Sequence, residues 1–190
     1  MRPATRTLLF CLVAPAAVAL AQEKPAAPTP APENPLSAYN KVVYSGVKDI
    51  LLRSAEKMPE ENYGFKPTDT VRSFGQILGH AADAQYLFCS KVLGEANPSP
   101  KVEQTRTSKA DLIAALKDAF AYCDKAYDGM TDAAAGQPIR LFASDVPKLS
   151  ALSVNSLHTV EHYGNIVTYL RMKNIVPPTS EPRPSPEPKK

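Results

Sequence analysis

Histidine is scarce in this sequence, and its side chain can bind a metal ion or transfer a proton. The chain has only three histidines, and two of them, His158 and His162, lie four residues apart in "LHTVEHYGN". Residues at positions i and i+4 stack on one face of a helix, so we expect the two imidazoles to be neighbours. His80 lies in "ILGHAADAQ", in another amphipathic stretch. Two imidazoles from one helix and one from a facing helix can bind one divalent metal ion and leave a fourth position open for water or substrate.

Two other interpretations of these histidines stay open. Histidines on half-buried helices are commonly core residues without a ligand, and a motif match alone is only a hypothesis. "HTVEH" also fits the H-x-x-E-H pattern of inverted zinc peptidases, in which Glu161 would be the general base. Those enzymes need a distant acidic ligand, but the only acids after His162 are Glu181 and Glu187, in a proline-rich tail. We therefore expect Glu161 to be solvated or to contact the metal ligands.

The elements that would position the histidines are four helices. Apolar residues recur at three- and four-residue steps over about 35–58, 71–94, 108–129 and 149–173, each bounded by proline, glycine or capping residues. No alternating pattern is long enough for a sheet, and "IRLFA" is the only short candidate. The prediction is an all-α four-helix bundle, a fold whose interior commonly holds metal sites. The face expected to be buried in the first helix carries Leu36, Tyr39, Val43, Val47, Ile50, Leu51 and Ser54.

The two ends of the chain differ in composition from the middle. Residues 1–21 have a basic start, a short apolar run and "ALA" before Gln22, which predicts a secretory signal peptide. Residues 22–34 form a Pro/Ala-rich linker and residues 177–190 a disordered Pro-rich tail, so the folded domain is 35–176. We expect an exported protein, periplasmic or secreted, without a stable membrane span.

The net charge limits the partners. Removal of the signal peptide takes away two arginines and lowers the formal net charge from +3 to +1. No basic face remains for binding a phosphate backbone, so we expect no nucleic-acid partner. A small-molecule substrate is the expected partner, and an apolar helix face not needed for the core could support a homodimer.

The sequence resembles the DinB-like, damage-inducible family of metalloenzymes over roughly residues 35–178. The resemblance is carried by "MPEENYGFKPTDTVRSFGQILGHAADAQ" and "HTVEHYGNIVTYLRMKNIVPP". It implies that His80, His158 and His162 bind one divalent metal, zinc or nickel, and all-nitrogen ligation suits either ion. It also implies an up-down-down-up topology, in which the second and third long helices are parallel.

The implied topology bears on two cysteines. Cys89 and Cys123 lie at similar distances from the starts of the second and third long helices, so parallel helices would place them at similar heights. In an exported protein such a pair can form a disulfide. The alternative is two small buried thiols in the core, which is common for free cysteine.

The resemblance leaves the activity open. The family includes thiol-dependent transferases, whose thiol cofactors are mainly cytoplasmic, and the predicted signal peptide argues against that activity here. Our leading hypothesis is a metal-dependent hydrolase or transferase acting on a small molecule. The alternative is a non-catalytic periplasmic bundle that binds metal or ligand, and a third hypothesis is a structural bundle without metal. Polar groups expected around the predicted pocket are Asp83, Asn155, Glu161 and Asn165.

Overall fold

The computed structural model describes residues 33–182, and within them it contains six α-helices and two short strands. The helices are α1 (Pro35–Lys57), α2 (Phe74–Leu93), α3 (Val102–Thr105), α4 (Lys109–Asp128), α5 (Asp132–Ala135) and α6 (Lys148–Met172). The strands are β1 (Pro138–Leu141) and β2 (Ser144–Pro147), and 3₁₀ turns cover Glu60–Asn62 and Pro178–Ser180. The four long helices confirm the predicted all-α bundle. Among the described residues, no helix is both long and apolar enough to cross a membrane.

The two central helices, α2 and α4, run in the same direction. Near their starts, Gly75 lies against Leu112, and near their ends Cys89 lies beside Cys123 with the Cα atoms 5.2 Å apart. The structure joins these two cysteines as a disulfide, and both are fully buried. The parallel packing therefore places the two cysteines at the same height along the helices, as expected from the topology that the family resemblance implies.

The outer helices run opposite to the central pair. The Tyr44 hydroxyl, early in α1, donates to Asp124 near the end of α4 at 2.9 Å, so these helices are antiparallel. Gln85 of α2 donates to Thr159 of α6 at 2.9 Å, while His80, earlier in α2, meets His162, later in α6. Helix α6 is thus antiparallel to α2, and the up-down-down-up order is confirmed.

Helix α2 begins at Phe74, three residues later than the apolar pattern indicated. Ser73 is extended and forms a capping box: its hydroxyl accepts the Gln76 N–H at 3.2 Å, and the Gln76 side chain accepts the Ser73 N–H at 2.8 Å. This cap satisfies backbone donors that would otherwise lack partners at the helix start, so Val71 stays outside the helix. The helix ends at Leu93 and is capped by Gly94, whose φ of +73° is the left-handed cap conformation.

The predicted buried face of α1 is wrong in its first half. Leu36, Tyr39 and Val43 are exposed, whereas Ser37 and Tyr44 are buried. The polar groups of the buried pair have partners: the Ser37 hydroxyl donates to Asp132 of α5 at 2.8 Å, and the Tyr44 hydroxyl donates to the Phe120 carbonyl of α4. The exposed apolar side chains form a strip with Leu157 and Val160 of α6 that lines a shallow groove.

The segment before α6 also differs from expectation. "IRLFA", judged too short for a sheet, contributes to a two-stranded antiparallel hairpin in which Pro138 pairs with Pro147 and Leu141 with Ser144. The turn between the strands is Phe142 and Ala143. The hairpin was not predicted because its strands have only four residues each and no sustained alternation of apolar and polar residues.

The first residues of the predicted disordered tail are ordered, contrary to the prediction. Pro178 is buried, the Tyr163 hydroxyl lies 2.8 Å from the Thr179 hydroxyl, and Glu181 pairs with Arg53 and Lys57. Residues 177–182 therefore pack on the bundle. The predicted signal peptide, most of the linker and residues 183–190 lie outside the described residues.

Candidate metal centre

The three histidines converge on one point between α2 and α6. The Nε2 atom of His158 lies 3.2 Å from that of His80 and 3.1 Å from that of His162. Their positions follow from the two helices, since His158 and His162 stack one turn apart and antiparallel α2 presents His80 to both. His162 is buried, while His80 and His158 are half-buried. The spacing in the sequence thus correctly predicted that the three side chains meet.

The converging nitrogens fit a divalent metal ion. Zinc binds imidazole nitrogens at about 2.0–2.1 Å, so two nitrogens of one tetrahedral ion lie about 3.3 Å apart. The observed separations of 3.1 and 3.2 Å are close to that value. Three ligands also leave a coordination position open, as is usual for catalytic rather than structural zinc. The donor set and its spacing therefore suit a catalytic-type site.

Glu103 orients His80, and the sequence analysis missed it. Its Oε2 lies 3.2 Å from the Nδ1 of His80, while its Oε1 accepts from the Nε of Arg72 at 2.8 Å. A carboxylate on the far nitrogen fixes the imidazole tautomer and makes the other nitrogen a better metal ligand. By contrast, the Nδ1 atoms of His158 and His162 are buried and have no hydrogen-bond partner among the described residues. His80 is thus the one ligand oriented by a neighbouring carboxylate within the described region.

The long connection between α2 and α4 brings Glu103 to the site. Both carboxylate oxygens of Asp83 accept backbone N–H groups of this connection, from Val102 at 2.9 Å and from Glu103 at 3.1 Å. The connection also lies directly on Gly79, where an added Cβ would be 2.6 Å from the Glu103 Cα. A side chain at Gly79 would therefore exclude the backbone of Glu103 from its position beside His80.

The environment keeps two of the imidazoles uncharged. Burial lowers the pKa of His162 to about 4, and the neighbouring His158, His80 and Arg72 act in the same direction. Burial, followed by the proximity of His80, also lowers the pKa of His158, although Glu161 opposes the shift. Only neutral imidazole binds a metal, so both side chains are in their binding form at neutral pH.

We expect Glu103→Gln to weaken metal binding by about 10- to 100-fold, because the amide cannot polarise His80 as a carboxylate does. The measurement is a competition titration against a chromophoric chelator. Glu56→Gln is the matched control, since Glu56 forms only a surface ion pair with Lys117 at 3.0 Å. Equal affinities of the Glu103→Gln and Glu56→Gln variants would show that Glu103 does not tune the site.

The other polar residues predicted around the pocket have different positions. Asp83 borders the cavity beside His80, and its carboxylate binds the backbone of the connection rather than a histidine. Asn155 is fully buried and donates to Gln85 at 2.8 Å, beside the disulfide. Glu161 lines a cavity with His80 and His158, and Asn165 lines another with His162.

Two cavities flank the histidines. One, of about 720 Å³, lies against His162 and is bordered by Arg72, Glu103 and Tyr169. The other, of about 690 Å³, lies against His80 and His158 and extends to the tip of the β-hairpin. Both volumes lie within the range of small-molecule sites, so the histidines are accessible to a ligand from either side.

Comparison with known proteins identifies the family. Residues 44–166, about two thirds of the chain, match the family model of the DinB superfamily. The chain belongs to the DinB superfamily. The resemblance inferred from the two sequence phrases is thereby confirmed. Within the match lie His80, His158 and His162, so the candidate metal centre is part of the DinB domain.

This DinB protein is similar to known proteins in sequence and in structure. The uncharacterised protein YjoA of Bacillus subtilis (strain 168) is 26% identical over 127 residues, 65% of this chain and 82% of YjoA. The crystal structure of a DinB-like protein from Bacillus cereus is similar with a TM-score of 0.66 at 14% identity, covering 73% of this chain and 93% of that one. The mycothiol-dependent maleylpyruvate isomerase has a TM-score of 0.56 at 14% identity, covering 70% of this chain and 65% of the isomerase. At these identities the structures show a shared fold.

Proposed function

We propose that this DinB protein is an exported metal-dependent hydrolase or transferase that acts on a small molecule. His80, His158 and His162 would bind one divalent ion, zinc or nickel. The observation that carries the proposal is the convergence of three Nε2 atoms, with 3.1 and 3.2 Å separations, between two cavities of ligand size. A similar fold in a protein named as an isomerase of a small molecule supports a small-molecule substrate.

The chain's own residues would prepare the site. A divalent ion supplies a Lewis acid that lowers the pKa of a bound water molecule or thiol. Glu103 holds His80 through Nδ1, and Arg72 holds Glu103, so this ligand is fixed before a substrate arrives. Burial keeps His162 neutral. Glu161 is exposed and lines the cavity beside His158.

Export and assembly belong to the same proposal. The predicted signal peptide supports export, and a disulfide between Cys89 and Cys123 suits an oxidising compartment. The homodimer stays a prediction, and the strip of Leu36, Tyr39, Val43, Leu157 and Val160 is the surface that it would use. Sedimentation equilibrium of the mature protein would test it.

The alternative is a non-catalytic periplasmic bundle that binds metal or a ligand. We expect the protein loaded with Co²⁺ to change its visible spectrum when azide is added, because an open position accepts an outside ligand. A closed four-ligand site would leave the spectrum unchanged and would support the non-catalytic alternative. Turnover in a substrate screen would then separate an enzyme from an open binding protein.

A further inference from the structure

The cavity beside His80 and His158 differs from its neighbour in the chemistry of its walls. Its apolar wall is formed on α2 by Leu87 and Phe88, on α6 by Val154 and Leu157, and at the hairpin tip by Phe142. Charged and polar residues, among them Asp83, Lys101 and Glu161, complete its border. The cavity on the His162 side is bordered by polar residues such as Arg72, Gln76 and Asn165, and also by Pro67, Val71, Ile77 and Tyr169. Apolar surface thus predominates on the hairpin side of the histidines, whereas polar and apolar residues are mixed on the other side.

Backbone strain is concentrated around the apolar cavity. Among the described residues, four that are not glycine have a positive φ: Ser99 at 44°, Lys101 at 53°, Phe142 at 52° and Asn174 at 59°. The first three line this one cavity. A left-handed backbone is unfavourable for residues with a Cβ, and such strain persists where the surroundings enforce it, commonly at ligand sites. Two separate segments of the chain are therefore held in strained conformations around the same space.

Phe142 has both a strained backbone and an exposed side chain. Its side chain is 69% exposed, although it is one of the largest apolar side chains of the protein. Its ring packs edge-on against Phe88 at 6.0 Å between centroids, and the Phe88 ring lies 5.8 Å from that of His158. The aromatic row thus runs from the hairpin tip to the histidines. Ring surface left open along this row is available to an apolar ligand.

We propose that the ligand of this site has a hydrocarbon or aromatic body that packs between Phe88, Phe142 and Leu157, with a polar head at the three imidazoles. This inference rests on the proposed function, because the head must bind the metal. It adds the substrate class: an amphiphilic small molecule rather than a wholly polar one. The apolar body lies on the hairpin side, away from Arg72.

The test compares two metal-binding probes that differ only in their tails. Acetohydroxamate and hexanohydroxamate are titrated into the zinc-loaded mature protein by calorimetry. Each fully buried methylene can strengthen binding by up to about fourfold, so we expect hexanohydroxamate to bind at least about tenfold tighter. The Phe142→Ser variant should lose most of that gain and bind acetohydroxamate unchanged.

Two further variants separate ligand contact from folding. Tyr39→Ser is the matched control, because Tyr39 is an aromatic residue with 71% exposure on α1, outside the cavity. It should keep the full gain. Phe142→Gly removes the ring while glycine tolerates the positive φ, so it should lose the gain with an unchanged or higher thermal midpoint.

The outcomes distinguish this inference from the function on which it rests. If acetohydroxamate binds but hexanohydroxamate binds no tighter, the apolar-body inference is overturned and the open metal site stands. The inference is also overturned if the tail gain survives in both Phe142 variants. If neither hydroxamate binds the zinc-loaded protein, the open position is refuted and the inference falls with it.

Discussion

Replacing both Cys89 and Cys123 with alanine is expected to lower the free energy of unfolding by about 3 to 4 kcal/mol. The disulfide joins residues 34 apart in the sequence, and the loop-closure entropy of the unfolded chain for that separation gives this magnitude. The bond also ties the parallel helices α2 and α4 together near their C-terminal ends. Urea denaturation of protein produced in an oxidising compartment measures the change, with metal removed from both samples.

The control for this experiment is reduction. A strong thiol reductant should lower the stability of the natural protein by a similar amount and leave the double alanine variant unaffected. Thiol titration of the unfolded, unreduced mature protein should find no free thiol. Two free thiols per chain would show that Cys89 and Cys123 are simply buried cysteines, the other interpretation of this pair.

A Gly79→Ala variant is expected to lose both stability and metal affinity. The added Cβ would lie 2.6 Å from the Cα and 2.8 Å from the N of Glu103, and backbone atoms cannot move aside as a flexible side chain can. Overpacking of this kind costs about 1 to 3 kcal/mol, offset by the roughly 1 kcal/mol that alanine gains over glycine in a helix. Displacement of Glu103 from His80 should weaken metal binding by at least about tenfold.

Gly46→Ala is the matched control for Gly79→Ala. Gly46 lies within α1, and a Cβ added there meets nothing within 4 Å. The only expected effect is the higher helix propensity of alanine compared with glycine. We therefore expect this variant to be more stable by about 0.5 to 1 kcal/mol, with unchanged metal affinity. Thermal unfolding and chelator competition measure both quantities. If Gly79→Ala behaved like Gly46→Ala, the connection carrying Glu103 would not be fixed against α2.

The sequence predicted the parts of the site that depend on helical periodicity. His158 and His162 are four residues apart on a long helix, and His80 lies on another strongly amphipathic helix, so their convergence followed once the two helices were known to face each other. Glu103 could not be found in this way. It reaches His80 from the short helix α3, 23 residues later in the connection between α2 and α4. Asp83 and the close approach of the backbone at Gly79 hold it there.

Three other features of the structure differ from the sequence-based predictions or were not predicted. Asn155 precedes His158 by three residues, but at its level α2 presents Gln85, and the two amides bond to each other in the core. The first half of α1 buries Ser37 and Tyr44, whose hydroxyls donate to Asp132 and to the Phe120 carbonyl, and apolar periodicity does not predict such contacts. Phe142 was missed because a hairpin of four-residue strands has too little pattern to detect.

The central claim is that three histidines hold one metal ion, and elemental analysis tests it most directly. Mature protein purified without a histidine tag is compared with a His158→Ala variant, both after incubation with divalent ions and removal of the excess. We expect about one equivalent of zinc or nickel in the natural protein and loss of that metal in the variant. No metal in either protein, or equal metal in both, would contradict a site built from His80, His158 and His162.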